Sequence, residues 1–278
     1  MNIIMHSYTM RDYTREEAFA RASDCGYDGI ELQRVYFKED FLEVELPECV
    51  KLSKQHNVPI HCVDFTGDLI TDDESIREET IKLIEKNIRV CGEHNVPLMN
   101  GFTGFLVSDP DNWGANGSAM ASDIHYDRAT EGLKHLADVA QRSNVTLTLE
   151  IHMNTIHDTV ATTSRLLDAV ASEHLLANPD PGNCFATSTA EKSPGALDSL
   201  KDRIGYFHLK NCKGVQGAFS YEGFLNDGEI DFEAFLAKLH QLGYKAPMCI
   251  EYVGGGDANA STQNDIEYLR PIVKDIWS

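Results

Sequence analysis

No stretch of this chain approaches the ~18 consecutive apolar residues that a membrane span needs. Its opening, MNIIMHSYTMRDYT, has no charged leader followed by an apolar run. Membrane insertion and export are therefore not expected. The seven cysteines, at positions 25, 49, 62, 91, 184, 212 and 249, are odd in number and form no CxxC pair. A disulfide framework and a zinc ribbon are both disfavoured, and a reducing, cytoplasmic setting fits best. Positive charge is also scarce: 24 Lys and Arg stand against 44 Asp and Glu, a formal charge of -20. Such a field repels nucleic-acid backbones and anionic membrane surfaces, so neither is an expected partner. It opposes phosphorylated substrates too, unless local Lys or Arg side chains or a bound cation reverse its sign in the pocket.

The first strand-to-helix turn, HSYTMRD, is not glycine-rich, which argues against a doubly wound dinucleotide-binding sheet. What the chain does contain is alternation. At 278 residues, 42% hydrophobic and 24% charged, it can bury a large core, and barrels of alternating strands and helices commonly use about 250 residues for one domain. Strand-like runs fall at 3–8, 29–33, 59–63, 97–102, 146–151, 175–178, 205–209 and 248–252. Helical periods fall near 15–25, 40–56, 74–94, 126–142, 159–172, 194–202, 231–242 and 263–276. Together they predict an α/β fold, a (β/α)8 TIM barrel occupying residues 1–278 as a single domain. Gly or Asn follows the helical run in CGYDGIEL, QHNVPIHC, EHNVPLMN and LGYKAPMCIE, the punctuation of short helix-to-strand turns. Three strand-to-helix connections, 103–125, 210–230 and 253–262, are long, which places the pocket at the C-terminal mouth of the barrel. Gly254-Gly255-Gly256 lies where some barrels bind phosphate, but no Lys or Arg adjoins it and it reads as a flexible turn.

The fifth strand, VTLTLEIH, puts Thr146, Thr148, Glu150 and His152 on one face while the other is wholly aliphatic. In a barrel the polar face looks into the lumen, where a lone buried carboxylate is strongly disfavoured. Asp180 in NPDPGN, His208 in YFHLKN and Glu251 in CIEY end the next three strands and offer company. Singly, Asp180 reads as a turn cap and His208 as a satisfied interior histidine. As a set, three carboxylates and an imidazole at one mouth require a cation. The donors suit one divalent ion, Mn2+ first, with Mg2+, Co2+ and Zn2+ also compatible.

These segments also resemble a known family. HSYTMRD followed by CGYDGIEL, then LEIH, PDPGN, YFHLKN and GEIDFEAFLAKLHQLGY leading into CIEY, are similar over nearly the full length to the sugar phosphate isomerase/epimerase superfamily, the xylose isomerase-like TIM barrels. The resemblance implies the same barrel, a sugar or sugar derivative as substrate, and Glu150, Asp180, His208 and Glu251 as ligands of one metal ion. Asn183 stands where the family often has a substrate-binding histidine, three residues after the ligand aspartate. Lys210 matches a frequent HxK pattern and is a candidate contact for a substrate hydroxyl or carboxylate. His6 is a further candidate substrate-binding residue, as is Trp113, whose aromatic loop FTGFLVSDPDNW could stack on a bulky substituent.

The expected chemistry is proton abstraction beside a carbonyl through a metal-stabilised enediolate. One of Glu150 and Glu251 would remove the proton and the other return it, as epimerization or aldose-ketose isomerization requires. His152 is a third candidate acid or base. With a leaving group β to the carbanion, the same site would be a lyase acting on an oxidised (3-oxo) sugar or glycoside. Inosose dehydration and C-glycoside deglycosidation are examples, and around LEIH the chain resembles the catalytic subunits of the latter. The enzyme is expected as a homo-oligomer or in complex with a small partner subunit.

Overall fold

The computed structural model describes residues 1–37, 42–187, 191–215 and 218–278. Eight strands run parallel: β1 (Ile3–His6), β2 (Ile30–Leu32), β3 (Ile60–Phe65), β4 (Leu98–Gly101), β5 (Thr146–Glu150), β6 (Leu175–Asn178), β7 (Phe207–Leu209) and β10 (Met248–Ile250). Their order in the sheet is β6-β5-β4-β3-β2-β1-β10-β7. The ring closes between its two ends, where Ala177 bridges Ile204 in parallel and the His208 N–H donates to Pro179 O at 3.1 Å. All eight predicted strands are present, and the fold is the predicted (β/α)8 barrel.

The helices follow local instructions. They are α1 (Arg15–Asp24), α2 (Leu46–His56), α3 (Glu74–Glu93), α4 (Asp123–Ser143), α5 (Val160–Val170), α6 (Pro181–Thr187), α7 (Phe232–Gln241) and α8 (Ala258–Ile276). Thr14 opens α1 through a capping box with Glu17, and Asp73 and Asp257 accept the first free N–H groups of α3 and α8. The four turns read from Gly or Asn hold those residues in the left-handed region, with φ 74° at Gly26, 54° at Asn57, 59° at Asn95 and 73° at Gly243.

Three expectations change. Residues 194–202 form 3-10 turns, Pro194–Ser199 and Lys201–Arg203, in place of an α-helix. The buried Leu197 and Leu200 are three apart, a spacing that suits three residues per turn better than 3.6. The connection expected over 253–262 is shorter, because α8 starts at Ala258. The connection expected over 210–230 holds an antiparallel ribbon, β8 (Lys213–Val215) with β9 (Ala218–Ser220). The first residues of the helix expected from 40 lie outside the described residues.

Two layers of side chains fill the lumen, and the period of two along each strand creates both. Ile4, Cys62, Leu98, Tyr206 and Cys249 form a buried cluster of their own, separate from the larger core under the helices. Two residues further along the same strands come His6, Asp64, Asn100, His208 and Glu251, one step nearer the mouth. The apolar layer is the floor on which the polar layer stands.

Asp265 of α8 ties the long β7–α7 connection to the body by accepting the Leu225 N–H at 2.8 Å. It is 2% exposed, and burial pushes its carboxyl up to about 7, against the opposing pull of the Leu225 N–H. A raised native pKa gives stability that is complete below the unfolded value and lost as pH rises through about 7. Asp265→Asn should therefore match the parent only near pH 4 and melt about 2–4 °C higher at pH 8.5. Thermal melts across that range check the sign.

Candidate active site

Glu150 is the last residue of β5, and Asp180 lies two residues past β6. His208 is central in β7, and Glu251 follows β10. One ligand atom from each lies within 4.8 Å of those of the other three. Asp180 does two jobs, since Oδ1 also accepts the Asn183 N–H at 3.1 Å as α6 begins at Pro181. Asp180 thus caps the turn into α6 and also lies within the cluster.

The ring of His208 is fixed from behind. Its Nε2 lies 3.0 Å from Glu31 Oε2, an oxygen that also accepts the Tyr206 hydroxyl at 2.7 Å. Burial would raise Glu31, but His208 and His6 outweigh it and hold the carboxyl at about 2. The inner nitrogen, Nδ1, is buried without a hydrogen bond and faces Glu251 Oε2 at 3.2 Å and Glu150 Oε2 at 3.6 Å. An outer nitrogen on a carboxylate and an inner nitrogen left over is the arrangement of a metal-ligating histidine. Asn100 donates to Glu150 Oε2 at 3.0 Å, and its own oxygen accepts from Thr148 and Asn178, each at 3.0 Å.

The electrostatics state the same demand. Burial, with Glu251 adding to it, pushes Glu150 up to about 8 despite the pull of His208 and Lys210. Burial also raises Asp180, partly offset by Lys210. For Glu251 burial acts upward as well, but Lys210, His6 and His208 together hold it well below the usual carboxylate range. Lys210 is the internal counter-charge, with Nζ 2.7 Å from Asp180 Oδ2 and 2.8 Å from Glu251 Oε2. Hard carboxylate oxygens, a borderline imidazole nitrogen without a partner and a surplus of buried negative charge fit a divalent cation.

A cavity of about 330 Å³ opens beside the cluster, lined by Glu150, Glu251, His6, His152, Asn183 and Lys210 among others. Six of the residues singled out in the sequence thus share one wall system, with Asp180 and His208 buried behind it. The strand stops at Glu150, yet His152 still reaches the cavity. Its Nδ1 pairs with Met153 O at 2.8 Å and its ring meets Phe102 edge-on at 4.8 Å. Burial and then Lys210 lower it to about 4, so the ring is neutral at pH 7. Trp113 is not among the lining residues. It stacks on Phe219 of β9 at 6.0 Å and on Tyr221 at 6.4 Å, and of these Tyr221 lines the cavity. Sequence reasoning missed Glu31, Asp64 and Asn100. A polar residue two positions beyond an apolar lumen residue was the available signal for Asp64 and Asn100.

The match to the xylose isomerase-like TIM barrel family covers residues 19–272, and the chain belongs to that family. Fructoselysine 3-epimerase of Shigella flexneri is 24% identical over 251 residues, 86% of this chain and 85% of the relative. Inosose dehydratase of Serratia proteamaculans is 27% identical over 165 residues, 53% of each chain. In structure, L-ribulose 3-epimerase superposes with a TM-score of 0.82 at 17% identity, covering 99% of this chain and 95% of that one.

Removing Lys210 would leave Asp180 and Glu251 buried without their counter-charge. Breaking a buried pair typically costs about 3–5 kcal/mol. Lys210→Met should lower the melting temperature by about 5–10 °C in EDTA, and excess Mn2+ should recover at least half of the loss. Differential scanning fluorimetry with and without the ion makes the comparison.

Proposed function

We propose that this protein is a divalent-metal-dependent sugar epimerase or isomerase, working in one domain that spans the chain. The observation that carries the proposal is the meeting of Glu150, Asp180, His208 and Glu251 from four strands, with His208 Nδ1 facing the carboxylates without a hydrogen bond. These four residues would hold the ion, Mn2+ being the first choice for the donor set. When bound, the ion supplies positive charge that stabilises an enediolate's oxygens.

The protein's own groups provide the rest. Glu150 and Glu251 belong to strands on different arcs of the ring, and their environments drive their proton affinities in opposite directions. Both carboxylates line the cavity, so one could take a proton from the bound carbon acid and the other return it, which is what inversion needs. His152 is a neutral imidazole at the same cavity, with Nδ1 bonded to Met153 O and Nε2 as its lone-pair nitrogen. Lys210 and Asn183 hold the carboxylates in place and are positioned to touch the substrate. His6 lines the wall opposite, and Trp113 supports the roof through Tyr221.

A lyase reading has one observation in its favour. His152 adds a third acid or base to the pair of carboxylates, which elimination uses and epimerization does not require. The partial likeness to inosose dehydratase is consistent with it. Both readings share the same first step, removal of a proton from carbon.

The Mn2+-loaded protein incubated in D₂O with free ketoses and 3-oxo-glycosides should exchange one carbon-bound proton, read by NMR. An epimer as product supports the main reading, and an eliminated fragment supports the lyase. Glu150→Gln and Glu251→Gln should each lower exchange by at least about 1,000-fold, or about 4 kcal/mol of barrier. Purified protein should carry about one divalent ion per chain by elemental analysis. Full exchange in a verified metal-free preparation would overturn the proposal.

A further inference from the structure

We infer that the site takes an unphosphorylated sugar, with Asp64 and Asn183 accepting hydrogen bonds from its hydroxyl groups. This narrows the substrate class of the epimerase or isomerase reading and rests on it.

Among the described residues, the cavity lining contains four oxygens that are buried without a hydrogen-bond partner, Asn183 Oδ1, Asp64 Oδ1, Glu31 Oε1 and the Tyr221 hydroxyl, together with the ring nitrogen His6 Nδ1. The orientation of Asn183 follows from its neighbours. Its Nδ2 donates to Glu150 Oε1 at 3.0 Å and to Asp180 Oδ2 at 2.9 Å, so the amide oxygen is the end that remains. The amide and carboxyl oxygens among them accept, and a buried acceptor is stabilised by a ligand that brings a donor, while the Tyr221 hydroxyl can donate as well as accept. Sugar hydroxyls bring donors. A phosphate dianion brings only further acceptors and would face the amide and carboxyl oxygens in repulsion.

The usual means of holding phosphate are already in use. Lys210 is the one Lys or Arg among the lining residues, and its ammonium group is bound to two carboxylates. Barrels that bind phosphate after their last strand do so with backbone N–H groups. Here the Gly256 N–H donates to the Tyr252 hydroxyl at 2.9 Å. Arg11, beside that loop, donates to Gly254 O at 2.7 Å while its guanidinium lies over the Tyr8 ring at 4.6 Å. The loop thus turns a carbonyl toward its neighbouring cation.

The test is calorimetric titration of the Mn2+-loaded protein with matched pairs, L-ribulose against L-ribulose 5-phosphate and D-fructose against D-fructose 6-phosphate. We expect at least one free sugar to bind, and each phosphate ester to bind at least 100-fold more weakly than its partner. An ester within tenfold of its free sugar, or a panel in which no free sugar binds, overturns the inference. Asp64→Leu should weaken the free sugar at least tenfold, and Asp64→Asn, which keeps an acceptor oxygen, should recover most of that loss. Unchanged affinity in a folded Asp64→Leu variant removes Asp64 from the account. Binding is read separately from proton exchange, so a sugar that binds without exchanging sinks the epimerase or isomerase reading and leaves this selectivity measured.

Discussion

The constraint on which the rest of the structure depends is the burial of more carboxylate at one end of a barrel than the protein's own cations can neutralise. Glu150, Asp180 and Glu251 converge with His208 in a space too small to leave them solvated, and Glu31 stands directly behind. Unpaired buried charge is expensive. Lys210 and His208 answer part of the demand, and both are held well above their ordinary pKa, burial opposing and the surrounding carboxylates prevailing. In the proposed function a divalent ion would answer the remainder, with positive charge of the kind a developing enediolate needs.

The barrel makes this concentration possible because period-two strands stack unlike layers. An apolar floor of Ile4, Cys62, Leu98, Tyr206 and Cys249 excludes water from below. Each polar residue two positions further on is thereby delivered to the mouth at a fixed height. Tyr206 links the layers, packing in the floor while its hydroxyl reaches up to Glu31. Strand ends therefore set the geometry, while loops such as the one carrying Trp113 and the β8–β9 ribbon cover it.

Much of this was legible in the sequence, for physical reasons that differ by residue. Glu150 stood out because alternation over VTLTLEIH is regular and its polar face has no purpose in a plain core. Asp180, His208 and Glu251 were legible as the matching ends of the next three strands. The helix ends at Gly26, Asn57, Asn95 and Gly243 were legible because left-handed backbone selects those residue types. Glu31 was not. Its strand is three residues long with a register shift between Ile30 and Glu31, so the alternation around it is too brief to read. The β8–β9 ribbon was missed because its strands are three residues each, with little hydrophobic pattern. In α6 the Asp-Pro-Gly run favours a turn locally, and the helix is held by burial of Cys184 and Phe185 that only the closed barrel supplies.

Anomalous diffraction at the manganese edge from crystals of the Mn2+-loaded protein measures directly whether one cation lies among these four side chains. A single strong peak is expected, bonded to Glu150, Asp180, Glu251 and His208 Nδ1 at about 2.0–2.3 Å, with His208 Nε2 still on Glu31. A peak elsewhere, ligation through Nε2, or no peak at the barrel mouth would contradict it.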